Sequence, residues 1–156
     1  MKIIKDYLDV VFQEVPGEIS LAISICGCGK RCKGCHTPEL QTTIMGDEFR
    51  LGDLKKIMEV YKDYLTCVLF FEGDVNYTTE LKDMLCYIKS EGLKTCLYTG
   101  RNNVPEDVRG LLDYLKVGEY REECGGLNST KTNQRLYDLR EEKDITYKFW
   151  RLEDVC

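Results

Sequence analysis

Ile19-Ser-Leu-Ala-Ile-Ser-Ile25 runs straight into Cys26-Gly-Cys28-Gly-Lys-Arg-Cys32-Lys-Gly-Cys35-His36. The first segment alternates in part and is rich in β-branched residues, so it predicts a strand. The cysteine loop then leaves from that strand's C-terminal end. Further along, Leu54, Ile57, Met58, Tyr61 and Leu65 recur at intervals of three and four, and Asp53 is the expected cap of the helix they imply. Cys67-Val-Leu-Phe-Phe71 is a short unbroken apolar run of the kind carried by a parallel strand covered on both faces. A second helix is expected with Thr78 or Thr79 at its start, Leu81, Met84, Leu85 and Ile88 on one face, and Gly92 at its end. Thr95-Cys-Leu-Tyr-Thr99 predicts a third strand closed by Gly100 and Arg101. A short helix follows, with Pro105 at its first position and Val108, Leu111 and Leu112 facing inward, and Tyr114-Leu-Lys-Val117 makes a fourth strand ending at Gly118. The polar 122–138 stretch reads mostly as loop, and 145–151 as a last strand.

Strands that alternate with helices at this pace imply βαβ units and a mostly parallel sheet. At 156 residues the chain is too short for a complete eight-fold barrel, which takes about 250. The expected fold is therefore α/β, an incomplete (βα) barrel with a mostly parallel sheet, as a single domain over 1–156. In such sheets ligands gather at the carboxyl ends of the strands. The cysteine loop, Glu72-Gly73-Asp74, Thr99-Gly100-Arg101 and Gly118-Glu119 all fall at that edge.

Cys28, Cys32 and Cys35 place three thiolates on one short loop in a C-x3-C-x2-C spacing. A cubane iron-sulfur cluster has four irons to hold, so three thiolates leave one iron open to a substrate or cofactor. The competing reading is a zinc site closed by His36 or a distant cysteine. Structural zinc usually draws on two separated ligand pairs, and no second pair is present: His36 is the only histidine and the later cysteines stand alone. The spacing selects Cys28 over Cys26, which reads as a small buried hydrophobe at the strand end. Cys67, Cys86, Cys96 and Cys156 read as structural or incidental. His36 is open to two roles, a hydrogen bond to the cluster or plain packing. Lys30, Arg31 and Lys33 read as solvated or docking cations rather than catalytic ones.

The net charge of -5 and pI near 5.1 leave no open basic surface for nucleic acid. Nine cysteines scattered among apolar runs, an odd number, do not describe a disulfide framework and point to the reducing cytoplasm. No signal peptide and no run near the roughly 18 apolar residues of a membrane span is expected.

The cysteine spacing resembles that of the radical S-adenosylmethionine (SAM) enzymes. Cys28-x-x-x-Cys32-Lys-Gly-Cys35-His36-Thr-Pro, with Gly34 where most of that superfamily has an aromatic residue, is similar to the small activating enzymes of the anaerobic ribonucleoside-triphosphate reductase. Gly125-Gly126-Leu127-Asn128-Ser129 and Thr132-Asn133-Gln134-Arg135-Leu136 also look like that family. Glu72, Gly73 and Asp74 stand where the superfamily has a Gly-Gly-Glu turn, departing at the first glycine and carrying Asp for Glu. The resemblance implies a radical SAM type of fold, a [4Fe-4S] cluster on Cys28, Cys32 and Cys35, and reductive cleavage of SAM. It implies SAM contacts at Glu72, Gly73 and Asp74; Thr99, Gly100 and Arg101, carried to the same edge by the sheet topology, are candidates for the SAM ribose or carboxylate, and the alternative for both segments is an ordinary turn. It further implies a glycyl radical formed on the anaerobic reductase and a low-potential electron donor such as flavodoxin or ferredoxin. The alternatives are an activase of another glycyl-radical enzyme and a radical SAM enzyme acting on a small molecule.

Overall fold

A computed structural model describes residues 1–71 and 78–151. In chain order it contains β1 (Lys2–Ile3), β2 (Asp9–Val11), β3 (Ser20–Ser24), β4 (Asp47–Glu48), α1 (Leu51–Tyr61), β5 (Cys67–Phe71), α2 (Thr79–Ser90), β6 (Lys94–Tyr98), α3 (Glu106–Arg109), β7 (Tyr114–Val117), β8 (Arg135–Asp138) and β9 (Lys143–Asp144). Seven strands form one sheet in the order β2-β3-β5-β6-β7-β8-β9. The fold is α/β and the sheet is mixed. Its central strands β3, β5, β6 and β7 run parallel, as their apolar runs and intervening helices predict, and antiparallel strands are added at both edges.

The apolar runs explain why those four strands are central. Every residue of β3 is buried, as are the first four of β5. Alternate side chains feed two separate cores, as the period of two requires. One core joins Leu21, Ile23, Val68, Phe70, Leu97 and Leu115 to Leu54 and Met58 of α1, Leu81, Met84, Leu85 and Ile88 of α2, and Val108 of α3. The other joins Cys67, Leu69, Cys96, Tyr114 and Leu136 to Val15 and Ile145 and contains no helical residue. The helices therefore pack on a single face of the sheet, which a doubly wound sheet would not do.

The structure corrects several local expectations. Helix α1 begins earlier than the apolar spacing predicts: Asp53 is not its cap but its third residue, where its carboxylate accepts from the Arg50 N–H at 3.0 Å. Pro105 is the cap of α3 rather than its first residue. Thr78 does cap α2, accepting from the Leu81 N–H. The 122–138 stretch contains a strand, β8, which pairs antiparallel with β7 along Tyr114–Val117. The expected last strand over 145–151 is instead a 3-10 turn at Thr146–Phe149, and β9 precedes it. Of the cysteines read as structural or incidental, Cys67 and Cys96 are buried and Cys86 is exposed on α2.

Candidate metal centre

The cysteine loop is shaped by its neck. Ile25 N–H still donates to Phe71 O at 2.7 Å, continuing the β3 to β5 ladder. Gly27 and Cys28 N–H then both donate to Leu40 O, at 2.6 and 2.7 Å, so the chain from 28 to 40 leaves and returns through one carbonyl. Leu40 is buried and anchors that return. Between these ends the backbone turns through the left-handed region twice, at Arg31 (φ 48°) and Gly34 (φ 70°), and Cys35 N–H donates to Cys32 O at 3.3 Å. Gly34 is the residue that makes the second of these turns cheap.

Cys28, Cys32 and Cys35 are all half-buried and form no disulfide, whereas Cys26 is buried at 2 % exposure. Cys26 N–H donates to Lys2 O, its sulfur lies against Gly46, and burial pushes its thiol up from the usual range. Cys67 is fully buried and pushed up to about 12 by loss of solvent, and the thiol of Cys96 is held high for the same reason. These three are the thiols least able to become thiolates. Among the described residues no three His, Cys, Asp or Glu side chains converge on one point. The donors at 28, 32 and 35 nonetheless fit an iron-sulfur cluster in kind and number. They are thiols reachable from solvent, on a segment with no helix or strand of its own to resist their closing on one centre.

The other strand ends meet this loop. Thr99 is 1 % exposed; its N–H donates to Lys116 O at 2.8 Å and its hydroxyl accepts from Arg101 N–H at 3.0 Å, so it builds the turn after β6. Gly100 abuts the loop, with a Cβ there falling 3.1 Å from Lys30 Cγ. Gly118 N–H donates to Arg101 O at 2.8 Å, tying the turn after β7 to the turn after β6. The structure thus brings the cysteine loop, Thr99, Gly100 and Arg101 to one rim. Glu72, Gly73 and Asp74, with Cys156, lie outside the described residues.

Lys30 and Lys33 are not simply solvated. Lys30 reaches Glu119 at 3.8 Å and Lys33 reaches Glu122 at 3.1 Å. Tyr120 sits between these pairs, its ring edge-on to His36 with centroids 5.1 Å apart. A cleft of about 560 Å³ opens here, lined by Arg31, Cys32, Tyr120 and Arg121 among others. That volume lies in the range of small-molecule sites. Asn133 and Gln134 fix the far side of this segment: Asn133 Nδ2 donates to Glu119 O at 3.0 Å and Gln134 Nε2 to Gly118 O at 3.4 Å. Glu122 and Tyr120 were invisible to sequence reasoning, because a charge and a ring some 90 residues from their partners leave no periodic signal.

A comparison with protein-family models matches residues 16–123 to the 4Fe-4S single cluster domain. The chain belongs to that family. The match runs from the approach to β3 to just past Glu122, so it takes in the cysteine loop and the segment that packs on it. As an iron-sulfur family it fits the donor set at Cys28, Cys32 and Cys35 better than the zinc reading does. A comparison with curated proteins gives no match. Among the described residues no helix is long and apolar enough to cross a membrane.

Proposed function

We propose that this protein is a radical SAM activase: it holds a [4Fe-4S] cluster on Cys28, Cys32 and Cys35, binds SAM beside it, and generates a glycyl radical on the anaerobic ribonucleoside-triphosphate reductase. The observation that carries the reading is the meeting of a three-thiol loop with the β6 and β7 turns at the carboxyl ends of the parallel strands of a mixed sheet whose helices lie on one face. A cluster held by three thiolates supplies an open iron and a single electron, the chemistry that reductive cleavage of SAM to methionine and a 5'-deoxyadenosyl radical requires. The chain's own residues hold and orient. Gly100 lets the β6 turn approach the loop closely, Thr99 fixes the path of that turn, and Arg101 offers a cation for the SAM carboxylate. Glu72, Gly73 and Asp74 complete the site on the sequence resemblance alone. A low-potential flavodoxin or ferredoxin delivers the electron in the reducing cytoplasm, and the reductase covers the open edge and presents its glycine.

The test is anaerobic reconstitution with iron and sulfide, followed by dithionite and SAM. Methionine and 5'-deoxyadenosine should form, and addition of an anaerobic reductase should give a glycyl radical signal that vanishes when its glycine becomes alanine. SAM cleavage without that signal would direct the search to another glycyl-radical enzyme or a small molecule; no SAM cleavage by a loaded cluster would end the reading.

A further inference from the structure

The cysteine loop has no secondary structure of its own, so something outside it must set where its sulfurs sit. Its two left-handed residues, Arg31 and Gly34, fall between the candidate ligands, and a non-glycine residue such as Arg31 enters that region at a cost. Beside the neck at the Leu40 carbonyl and the approach of Gly100, a run of contacts to the loop comes from the segment after β7. Lys30, two residues before Cys32, pairs with Glu119. Lys33, the next residue after Cys32, pairs with Glu122. Gly34, next to Cys35, faces Tyr120, whose Cε1 would lie 3.5 Å from a Cβ at that position, with Glu122 Cδ at 3.7 Å. His36, on the other side of Cys35, meets the same ring edge-on.

We infer that the 119–122 segment is a positioning clamp for the cysteine loop, with Tyr120 its principal residue; this rests on the cluster reading above. The two ion pairs contribute little by themselves. Lys33 is 91 % and Glu122 58 % exposed, so solvent screens most of their attraction. The ring contact is different in kind, because Tyr120 packs on His36 on one side of Cys35 and faces Gly34 on the other, and so limits the directions its sulfur can take. The clamp is itself braced from behind. Gly118 at φ +95° turns the chain, and Asn133 and Gln134 donate to the carbonyls of 119 and 118. Groups that orient metal ligands in this way change metal affinity by about 10- to 100-fold when removed.

The test loads wild type, Tyr120→Ala, Tyr120→Phe and Cys32→Ser with iron and sulfide under anaerobic conditions, with no SAM or partner present. Three quantities are read: iron per chain, the rate of iron loss to a chelator, and the electron paramagnetic resonance spectrum after dithionite reduction. Tyr120→Ala should load the same iron as wild type, lose it at least about tenfold faster, and show a shifted spectrum. Tyr120→Phe should restore both, since the ring and not the hydroxyl makes the contacts. Wild-type loss rates and spectrum in Tyr120→Ala would overturn the clamp. So would failure of the phenylalanine variant to restore them. Thermal melting of the iron-free proteins separates this from a folding defect. If Tyr120→Ala melts well below wild type, the decision passes to Lys33→Ala combined with Lys30→Ala, which should speed iron loss by a smaller factor and must not leave it unchanged. Cys32→Ser reports on the cluster reading independently: full, stable loading of that variant would refute the ligand set and the clamp with it.

Discussion

Within the strands and the loop that follows β3, the cysteines divide by environment as well as by spacing. Cys26, Cys67 and Cys96 are enclosed, and desolvation raises all three thiols, so each is poorly suited to bind iron as thiolate. Cys28, Cys32 and Cys35 keep access to solvent on a loop gathered at the Leu40 carbonyl. Serine at any of these three should therefore remove the cluster absorbance after reconstitution, while Cys26→Ser should leave iron content and visible spectrum unchanged. Iron lost from Cys26→Ser and kept in Cys28→Ser would reverse the frame. Gly118 offers a second test at this scale. Its φ of +95° suits no side chain, and a Cβ there would stand 3.2 Å from Asn133 O and 3.3 Å from Gln134 Cα. Gly118→Ala should cost about 1–3 kcal/mol, read as a lower denaturation midpoint at constant slope.

At the scale of elements, the buried strands were the legible part. Cys67–Phe71 and Tyr114–Val117 were bounded correctly because unbroken apolar runs have no other stable place than the middle of a covered sheet. Sequence reading failed where structure is made by partners rather than by pattern. β8 left no apolar alternation to read, because its two buried residues are Leu136 and the charged Asp138, and it exists by pairing with β7. The 3-10 turn over Thr146–Phe149 looked like a strand because Ile145, Tyr147, Phe149 and Trp150 are β-formers, yet Thr146 Oγ1 accepts from Leu136 N–H and its own N–H donates to Asp144, curling the chain. The cysteine loop was legible from spacing; the segment packed on it was not. Element energetics are testable through Phe70, which is fully buried between β5 and the helical face. Phe70→Ala should lower stability by about 3–5 kcal/mol, whereas Cys86→Ser on the exposed side of α2 should stay within about 0.5 kcal/mol in the same denaturant titration.

Across the whole molecule the two edges of the sheet do different work. The carboxyl edge carries the cysteine loop and the turns after β6 and β7, and the opposite edge carries a buried polar network. There Glu18 accepts from Lys94 Nζ at 2.6 Å and from Tyr114 Oη at 2.7 Å, Arg140 donates to Tyr114 Oη at 2.7 Å, and Arg140 Nε donates to Asp138 at 2.9 Å. Burial alone would raise the Glu18 carboxyl, but hydrogen bonds from Lys94, Tyr114 and Thr66 outweigh it and hold the group below its ordinary value. Hydrogen bonding from Arg140 lowers Asp138 likewise, against a smaller effect of burial. A carboxyl depressed in the folded state adds stability that is complete above its unfolded value and is lost as pH falls through its folded value. Stability of the iron-free protein should accordingly hold from neutral pH down to the ordinary carboxylate range and drop below it. Glu18→Gln removes one of the two depressed carboxyls of this network, so it should lower the denaturation midpoint at pH 7 and flatten the acid loss, with Lys94 left beside a neutral amide. Because this network lies at the far edge from the cysteines, the same variant should take up wild-type iron at pH 7. A Glu18→Gln protein that melts normally but loads iron poorly would show that the two edges are coupled and that their division of labour is wrong.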